Sequence, residues 1–269
     1  MKGDAAMMAA LRRLAIAAGA AILEVRAGAD LGARVKADAS PVTQADLAAD
    51  AIIVAGLRAA FPRIPVVTEE RPESHALIGA GPHFLVDPLD GTREFLAGRD
   101  AFTVNIALVA QGRPAAGVLY APALGRLFRT TPQSGTTGGA VEETGGFDPA
   151  AEGPLRRLGA ARPAAAPSRL RAVASLSHRA AATDAWLARS GVTQTRAVGS
   201  SLKFGLLAAG EADVYPRLSP IMEWDTAAGE AVLTAAGGAV VATGGGRLRY
   251  GDPRRVNAGF IAYAPGIAP

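Results

Sequence analysis

The stretch that most restricts the fold is an apolar run, Phe84-Leu85-Val86, that ends in Asp87-Pro88-Leu89-Asp90-Gly91-Thr92. The run reads as a buried strand delivering a carboxylate at its carboxyl end. Pro88 has no backbone donor, so the strand is expected to stop there rather than continue inside a sheet. Asp90 follows three residues after Asp87, close enough for both carboxylates to share a cation. Gly91 admits an unusual φ and close backbone approach. Thr92 then opens a short helix through Leu96, whose free N–H groups can hold a phosphate oxygen. A strand end, two acids and a helix start must therefore meet at one point.

The elements around this point follow from periodicity. Met8, Leu11, Ala15, Ala18, Ile22 and Val25 recur at gaps of three and four, which predicts an amphipathic first helix lying on the core. The ten apolar residues from Leu14 to Leu23 resemble a signal-peptide core, but Glu24 and Arg26 stand where a cleavage region is neutral, and the run is about half a membrane span. Thr43 with Asp46 three residues on is an acidic capping box, predicting a second helix from about Asp46 to Ala60, ended by Pro62. Ile64 to Thr68 reads as another buried strand, running into Glu69-Glu70. Phe102 to Val109 alternates, and Gln111-Gly112-Arg113 turns it back into Ala115 to Tyr120 as a hairpin. Thr130 to Pro167 is rich in Gly and Pro with poor periodicity and reads as a loop-rich crossover. Beyond it strands (172–175, 195–198, 212–215, 239–243) alternate with helices (180–189, 201–209, 226–236), an α/β pattern.

Composition narrows the chemistry. The 269 residues contain no Cys and three His without an H-x-x-x-H pair, which excludes disulfides, thiolate zinc and thiol nucleophiles and disfavours a His-built metal site. Twenty-five of the 28 basic residues are Arg, scattered rather than blocked, so nothing resembles a nucleic-acid track. A net charge of +4 suits a small polyanionic substrate. Four acidic segments are placed for chemistry: Thr43-Gln44-Ala45-Asp46, Glu69-Glu70, Asp87 to Thr92, and Trp224-Asp225. Clustered carboxylates raise each other's pKa unless cations intervene. Oxygen-only ligands point to Mg²⁺, and two or more such ions beside a phosphate-holding helix start equip a chain to hydrolyse a phosphate ester. Each element alone is an ordinary turn, loop or helix cap; their joint order is what carries the argument.

Asp87 to Thr92, preceded by Glu69-Glu70 and followed by Trp224-Asp225-Thr226-Ala227-Ala228-Gly229, resembles the lithium-sensitive, magnesium-dependent phosphatase superfamily of inositol monophosphatases and fructose bisphosphatases. Matching stretches run from the first helix to about Gly238. Within it, Ser40 to Asp46, Gly91 to Phe95, Phe102 to Leu108, Gly199 to Phe204 and Tyr215-Pro216-Arg217 are similar to the CysQ-type 3′(2′),5′-bisphosphate nucleotidases. The resemblance implies a layered αβαβα fold: an N-terminal α+β part (1–144) with the metal motifs, and a C-terminal α/β part (145–269) with substrate residues and the last metal ligand. It implies removal of the 3′-phosphate of adenosine 3′,5′-bisphosphate to leave AMP, and likewise conversion of 3′-phosphoadenosine 5′-phosphosulfate to adenosine 5′-phosphosulfate.

By the same resemblance Glu69, Asp87, Asp90, Asp225 and the Leu89 carbonyl hold two or three Mg²⁺, Asp46 and Thr92 orient and deprotonate the attacking water, and the Gly91 and Thr92 amides hold the scissile phosphate. Ser200, Lys203 and Arg217 take the other phosphate and the nucleoside, with His178 near the base. The expected partner is a small nucleotide bisphosphate, not a nucleic acid. The expected setting is a cytoplasmic monomer or homodimer, with peripheral attachment at the inner membrane left open. Arg93 stands where the family commonly has Lys, and Glu223 is expected to add charge beside the acids; the Gly-rich stretch from Gly135 to Gly146 matches nothing in the family. Two readings compete: an inositol or sugar-phosphate phosphatase, and a non-catalytic nucleotide- or RNA-binding protein. The complete set of metal and water-activating residues argues against the second.

Overall fold

Residues 2–28, 30–36, 40–77, 81–132, 139–160, 169–177 and 179–268 are described by a computed structural model. Helix α1 (Lys2–Ala27) buries the expected stripe, with Met8, Leu11, Ala15, Ala18 and Ile22 each no more than 4% exposed. Its Asp4–Ala27 stretch is long and apolar enough to cross a membrane by length and composition, and half of it is buried inside the protein. A short antiparallel pair, β1 (Arg34–Val35) and β2 (Pro41–Val42), leads into α2 (Gln44–Ala60). The capping box forms as expected. Thr43 Oγ1 accepts the Ala45 N–H (3.1 Å), and Asp46 Oδ2 accepts the Thr43 N–H (2.7 Å).

Seven strands then form one sheet in sequence order: β3 (Val66–Thr68), β4 (His83–Asp90), β5 (Thr103–Ala110), β6 (Arg113–Ala121), β7 (Arg126–Thr130), β8 (Ala140–Thr144) and β9 (Leu155–Arg157). Helix α3 (Thr92–Leu96) follows β4 directly. Gln111 (φ 53°) and Gly112 (φ 68°) are both left-handed, the two-residue turn that matches strand twist in a hairpin.

Two expectations are corrected here. Strand β4 does not end at Asp87 but passes through Pro88 to Asp90. Its parallel partner β3 pairs only with Phe84–Val86, and its register against β5 shifts between Asp87 and Asp90, so Pro88 lies in an irregularity where the missing donor leaves no ladder bond broken. The expected crossover also contains strands β8 and β9, and β9 extends the sheet beyond residue 144. The periodicity of β8 is hidden because two of its buried side chains are charged, and β9 is short and exposed. Glu142 (2% exposed) meets Arg126 at 2.6 Å, and Glu143 (0%) takes a two-pronged bond from Arg12 at 2.6 and 2.7 Å. Paired and hydrogen-bonded, these acids tolerate burial that the sequence pattern does not reveal.

The second sheet has strand order β11 (Gln194–Val198), β10 (Arg171–Ser175), β12 (Val214–Arg217), β16 (Phe260–Tyr263), β14 (Ala239–Ala242). The first three run parallel, and β16 inserts antiparallel to both its neighbours. Helices α4 (Ala181–Arg189), α5 (Leu202–Ala208) and α6 (Trp224–Ala235) connect them, and a two-residue pair, β13 (Ile221–Met222) with β15 (Val256–Asn257), flanks α6. One face of the first sheet (Phe84, Val86, Val104, Ile106) packs on α1 and α2. The alternate residues (Leu85, Ala107, Val109, Leu119) pack with α5 and α6, which also touch the second sheet, while α4 lies against β12. The resulting layers are helix, sheet, helix, sheet, helix, the expected αβαβα order.

Candidate active site

The site lies where the parallel pairing of β3 with β4 ends. Their parallel register (Val67 with Leu85, Thr68 with Val86) carries Glu69 and Asp87 to the same edge, and the Glu69 N–H continues the pairing to the Val86 carbonyl (3.2 Å). Asp225 arrives from the first turn of α6. Carboxylate oxygens of Glu69, Asp87 and Asp225 all lie within 4.8 Å of one another. Asp90 faces the same cleft, where its Oδ2 accepts the Ser201 N–H (2.5 Å) and the Ser201 hydroxyl. Leu89 donates its N–H to Asp87 Oδ1 (3.1 Å), while its carbonyl accepts from Thr92 Oγ1 (3.2 Å). The bulged Asp87–Asp90 segment thus folds back on its own carboxylate.

Burial raises the pKa of Asp87 and Asp225 well above the ordinary carboxyl value, and repulsion from Glu69 and Asp90 adds to it. Glu69 is also raised by burial, although Lys36 opposes the shift. The Lys36 ammonium reaches Glu69 (2.8 Å) and Glu70 (2.7 Å), and this pairing keeps its own pKa above normal against burial. Glu70 is pushed up to about 7 by burial. One ammonium cannot neutralise so many acids. An all-oxygen cluster whose members resist ionisation fits a hard divalent cation, whose charge reverses that resistance.

Thr92 Oγ1 also donates to Asp46 Oδ1 (3.1 Å), while Asp46 Oδ2 is saturated by the Thr43 N–H and hydroxyl. Burial raises the Asp46 pKa, with the Thr43 and Thr92 hydrogen bonds opposing. Gly91, at φ 93°, caps α3 in a conformation that L side chains rarely adopt, and no side chain covers the first N–H groups of that helix. Across the cleft Ser200 is left-handed (φ 49°). Lys203 is buried; its ammonium donates to the Val198 (3.0 Å) and Ser200 (2.5 Å) carbonyls and sits 5.0 Å above the Tyr215 ring, and burial pushes its pKa down to about 8. It therefore braces the 198–201 turn from beneath. Arg217 donates through Nη2 to the Pro220 carbonyl (3.2 Å), while its buried Nε has no partner. His178 lies outside the described residues. Ser200, Lys203 and Arg217 line the same cleft of about 610 Å³ as the acids.

One expectation about charge is corrected. Glu223 is fully buried, and its Oε1 accepts the N–H groups of Gly251 (2.9 Å) and Asp252 (3.0 Å), with Arg255 4.0 Å from its other oxygen. Its charge anchors the 251–255 turn rather than joining the acids. Sequence reasoning assigned no role to Lys36, Ser201, Asn105 or Glu94. Ser201 joins Asp90 to the Asp225 carbonyl (3.1 Å) and accepts from Asn105 Nδ2 (2.6 Å). Asn105 and Glu94 sat inside recognisable strings, but only folding reveals what they touch.

The description "Inositol monophosphatase family" matches residues 4–266. The chain is 42% identical over 252 residues to the 3′(2′),5′-bisphosphate nucleotidase CysQ of Shigella flexneri, covering 92% of this chain and 96% of that one. To the protein of the same name from Salmonella typhimurium it is 41% identical over 258 residues, 94% and 98% of the two chains. The crystal structure of CysQ from Bacteroides thetaiotaomicron, a bacterial member of the inositol monophosphatase family, superposes with a TM-score of 0.81 at 36% identity, over 97% and 98% of the two chains. An inositol monophosphatase from Anabaena shares the fold (TM-score 0.73, 99% and 93% covered) at 23% identity. With agreement over nearly the whole length in both sequence and fold, the chain belongs to the inositol monophosphatase family.

Proposed function

We propose that the chain is a Mg²⁺-dependent phosphoric monoester hydrolase, a 3′(2′),5′-bisphosphate nucleotidase that converts adenosine 3′,5′-bisphosphate to AMP and phosphate. The observation that carries this reading is 42% identity, over 92% of the chain, to a relative named for that activity. The oxygen cluster beside the uncapped start of α3 supports it chemically. Adenosine 3′-phosphate 5′-phosphosulfate is a second substrate on this reading, and the cytoplasm is where both nucleotides are met.

Glu69, Asp87, Asp90, Asp225 and the Leu89 carbonyl would hold the ions, two or three in number. Bound there, Mg²⁺ lowers the pKa of water and neutralises charge on the phosphoryl oxygens. The chain's own groups do the rest. Thr92 donates to Asp46 Oδ1, so its oxygen keeps a lone pair for a proton of the attacking water, and Asp46 takes the proton that Thr92 passes on. Burial of Asp46 favours that acceptance by raising its basicity. Gly91 and Thr92 N–H groups hold the scissile phosphate. Ser200 and the Arg217 guanidinium receive the second phosphate, over the Lys203 ammonium.

The test is phosphate release by the purified chain with Mg²⁺, comparing adenosine 3′,5′-bisphosphate with inositol 1-phosphate and fructose 1,6-bisphosphate. The nucleotide is expected to give the highest kcat/KM by tenfold or more. Faster hydrolysis of inositol phosphate would overturn the assignment while leaving the family unchanged.

A further inference from the structure

Glu94, on α3, is a carboxylate held in a cleft that must receive a polyanion, and nothing in the proposed chemistry uses it. It is 3% exposed. Its Oε1 accepts the Ser177 hydroxyl at 2.5 Å, which ties α3 to the chain beyond β10. Its stem is walled by Gly199, where an added Cβ would fall 2.6 Å from Glu94 Cγ and 2.6 Å from the Ala101 carbonyl oxygen. Glu94 also lines the cleft. Its Oε2 lies beside Gly91, 3.4 Å from where a Cβ there would stand, and the Ser200 Cβ is 3.3 Å from the same point. An immobilised, buried acceptor is thus presented next to the amides assigned to the scissile phosphate.

A carboxylate oxygen so placed is matched by a donor, because a second anion beside it would be repelled. On a nucleoside 3′-phosphate the donor nearest the phosphorus is the hydroxyl on the neighbouring ribose carbon; the amine of the base is several bonds farther away. Resting on the functional reading above, we propose that Glu94 Oε2 accepts a hydrogen bond from the sugar hydroxyl vicinal to the scissile ester and so selects ribonucleotide over deoxyribonucleotide substrates. A 2′-phosphate presents the 3′-hydroxyl in the equivalent position, so one acceptor serves both isomers. Its partner and its stem are fixed before substrate arrives, which limits the ordering cost of using it.

The experiment compares kcat/KM for adenosine 3′,5′-bisphosphate and its 2′-deoxy analogue, in the unaltered chain and in Glu94→Ala and Glu94→Gln. The unaltered chain is expected to favour the ribonucleotide by about tenfold or more, the range of a hydrogen bond to a charged group. In Glu94→Ala that ratio should fall to near one. Glu94→Gln, which keeps the shape and a weaker acceptor, should lie between and carries the test if the Ala variant fails to fold. A purely structural role would lower both rates together, and an unchanged ratio in Glu94→Gln alongside turnover of the ribonucleotide overturns this inference alone. No turnover of either nucleotide by the unaltered chain would instead defeat the functional reading beneath it.

Discussion

Ser201→Ala is the sharpest probe of how the cleft is held together. The Ser201 hydroxyl lies between Asp90 Oδ2, the Asp225 carbonyl and Asn105 Nδ2, joining α5's entry to β4, β5 and α6. Its loss removes a bond to a carboxylate, worth about 1.5–3 kcal/mol. It also strands the Asn105 amide, which is 1% exposed and keeps only a 3.4 Å contact with Asp90, at a cost of about 1–3 kcal/mol. These contributions share one network and do not add fully, so the destabilisation should be about 3 kcal/mol. For a chain of this length that is a fall in Tm of about 6–12 °C. The Ser201 N–H still reaches Asp90, so the fold should persist. With Asp90 and Asp225 less firmly placed, kcat should drop about 100-fold and more Mg²⁺ should be needed for half-maximal activity. Urea denaturation and Mg²⁺ titration of phosphate release measure both. A stability change below about 0.5 kcal/mol with unaltered Mg²⁺ dependence would refute the linkage.

Four further outcomes are expected. Asp90→Asn should abolish phosphate release while the circular dichroism spectrum stays native; undiminished turnover would remove Asp90 from the ligand set. Asp46→Asn should lower kcat by about 10²–10⁴ with little effect on KM in steady-state assays, the signature of a lost general base. With chelator present, activity should vanish and return on adding Mg²⁺, and stability should fall as pH rises from 5 to 8. Glu69, Glu70, Asp87 and Asp225 all have folded-state pKa values above their unfolded ones, so their contribution is complete at low pH and lost as pH passes the folded values, about 7 for Glu70; denaturation midpoints that rise with pH would contradict this. Lys203, pushed down to about 8, loses its charge above that pH, so KM for the bisphosphate should climb between pH 7 and 9, whereas Lys203→Met should give a weak, flat KM profile.

Consecutive residues were enough to determine the local devices. Thr43 with Asp46, the turn at Gln111-Gly112, and the helix start at Thr92 are each set by neighbours a few bonds apart, and all form as read, although β4 runs on through Pro88 to Asp90. The acids of the candidate site were legible for the same reason, since each lies at a strand end, at the end of the β3–β4 pairing or in a first helical turn. What the tertiary structure alone decided is which distant groups those acids meet. Lys36 reaches Glu69 across 33 residues, Ser201 reaches Asp90 across 111, and Arg12 covers Glu143 across 131. Strand β16 likewise enters between β12 and β14 with no local signal of its place. Strand β8 reads as loop because periodicity records apolar burial, whereas its Glu142 and Glu143 are buried through ion pairs with Arg126 and Arg12; β9 is three exposed residues with no apolar pattern to read. Hydrogen bonds and ion pairs depend on position in space, and a sequence pattern carries that information only between near neighbours.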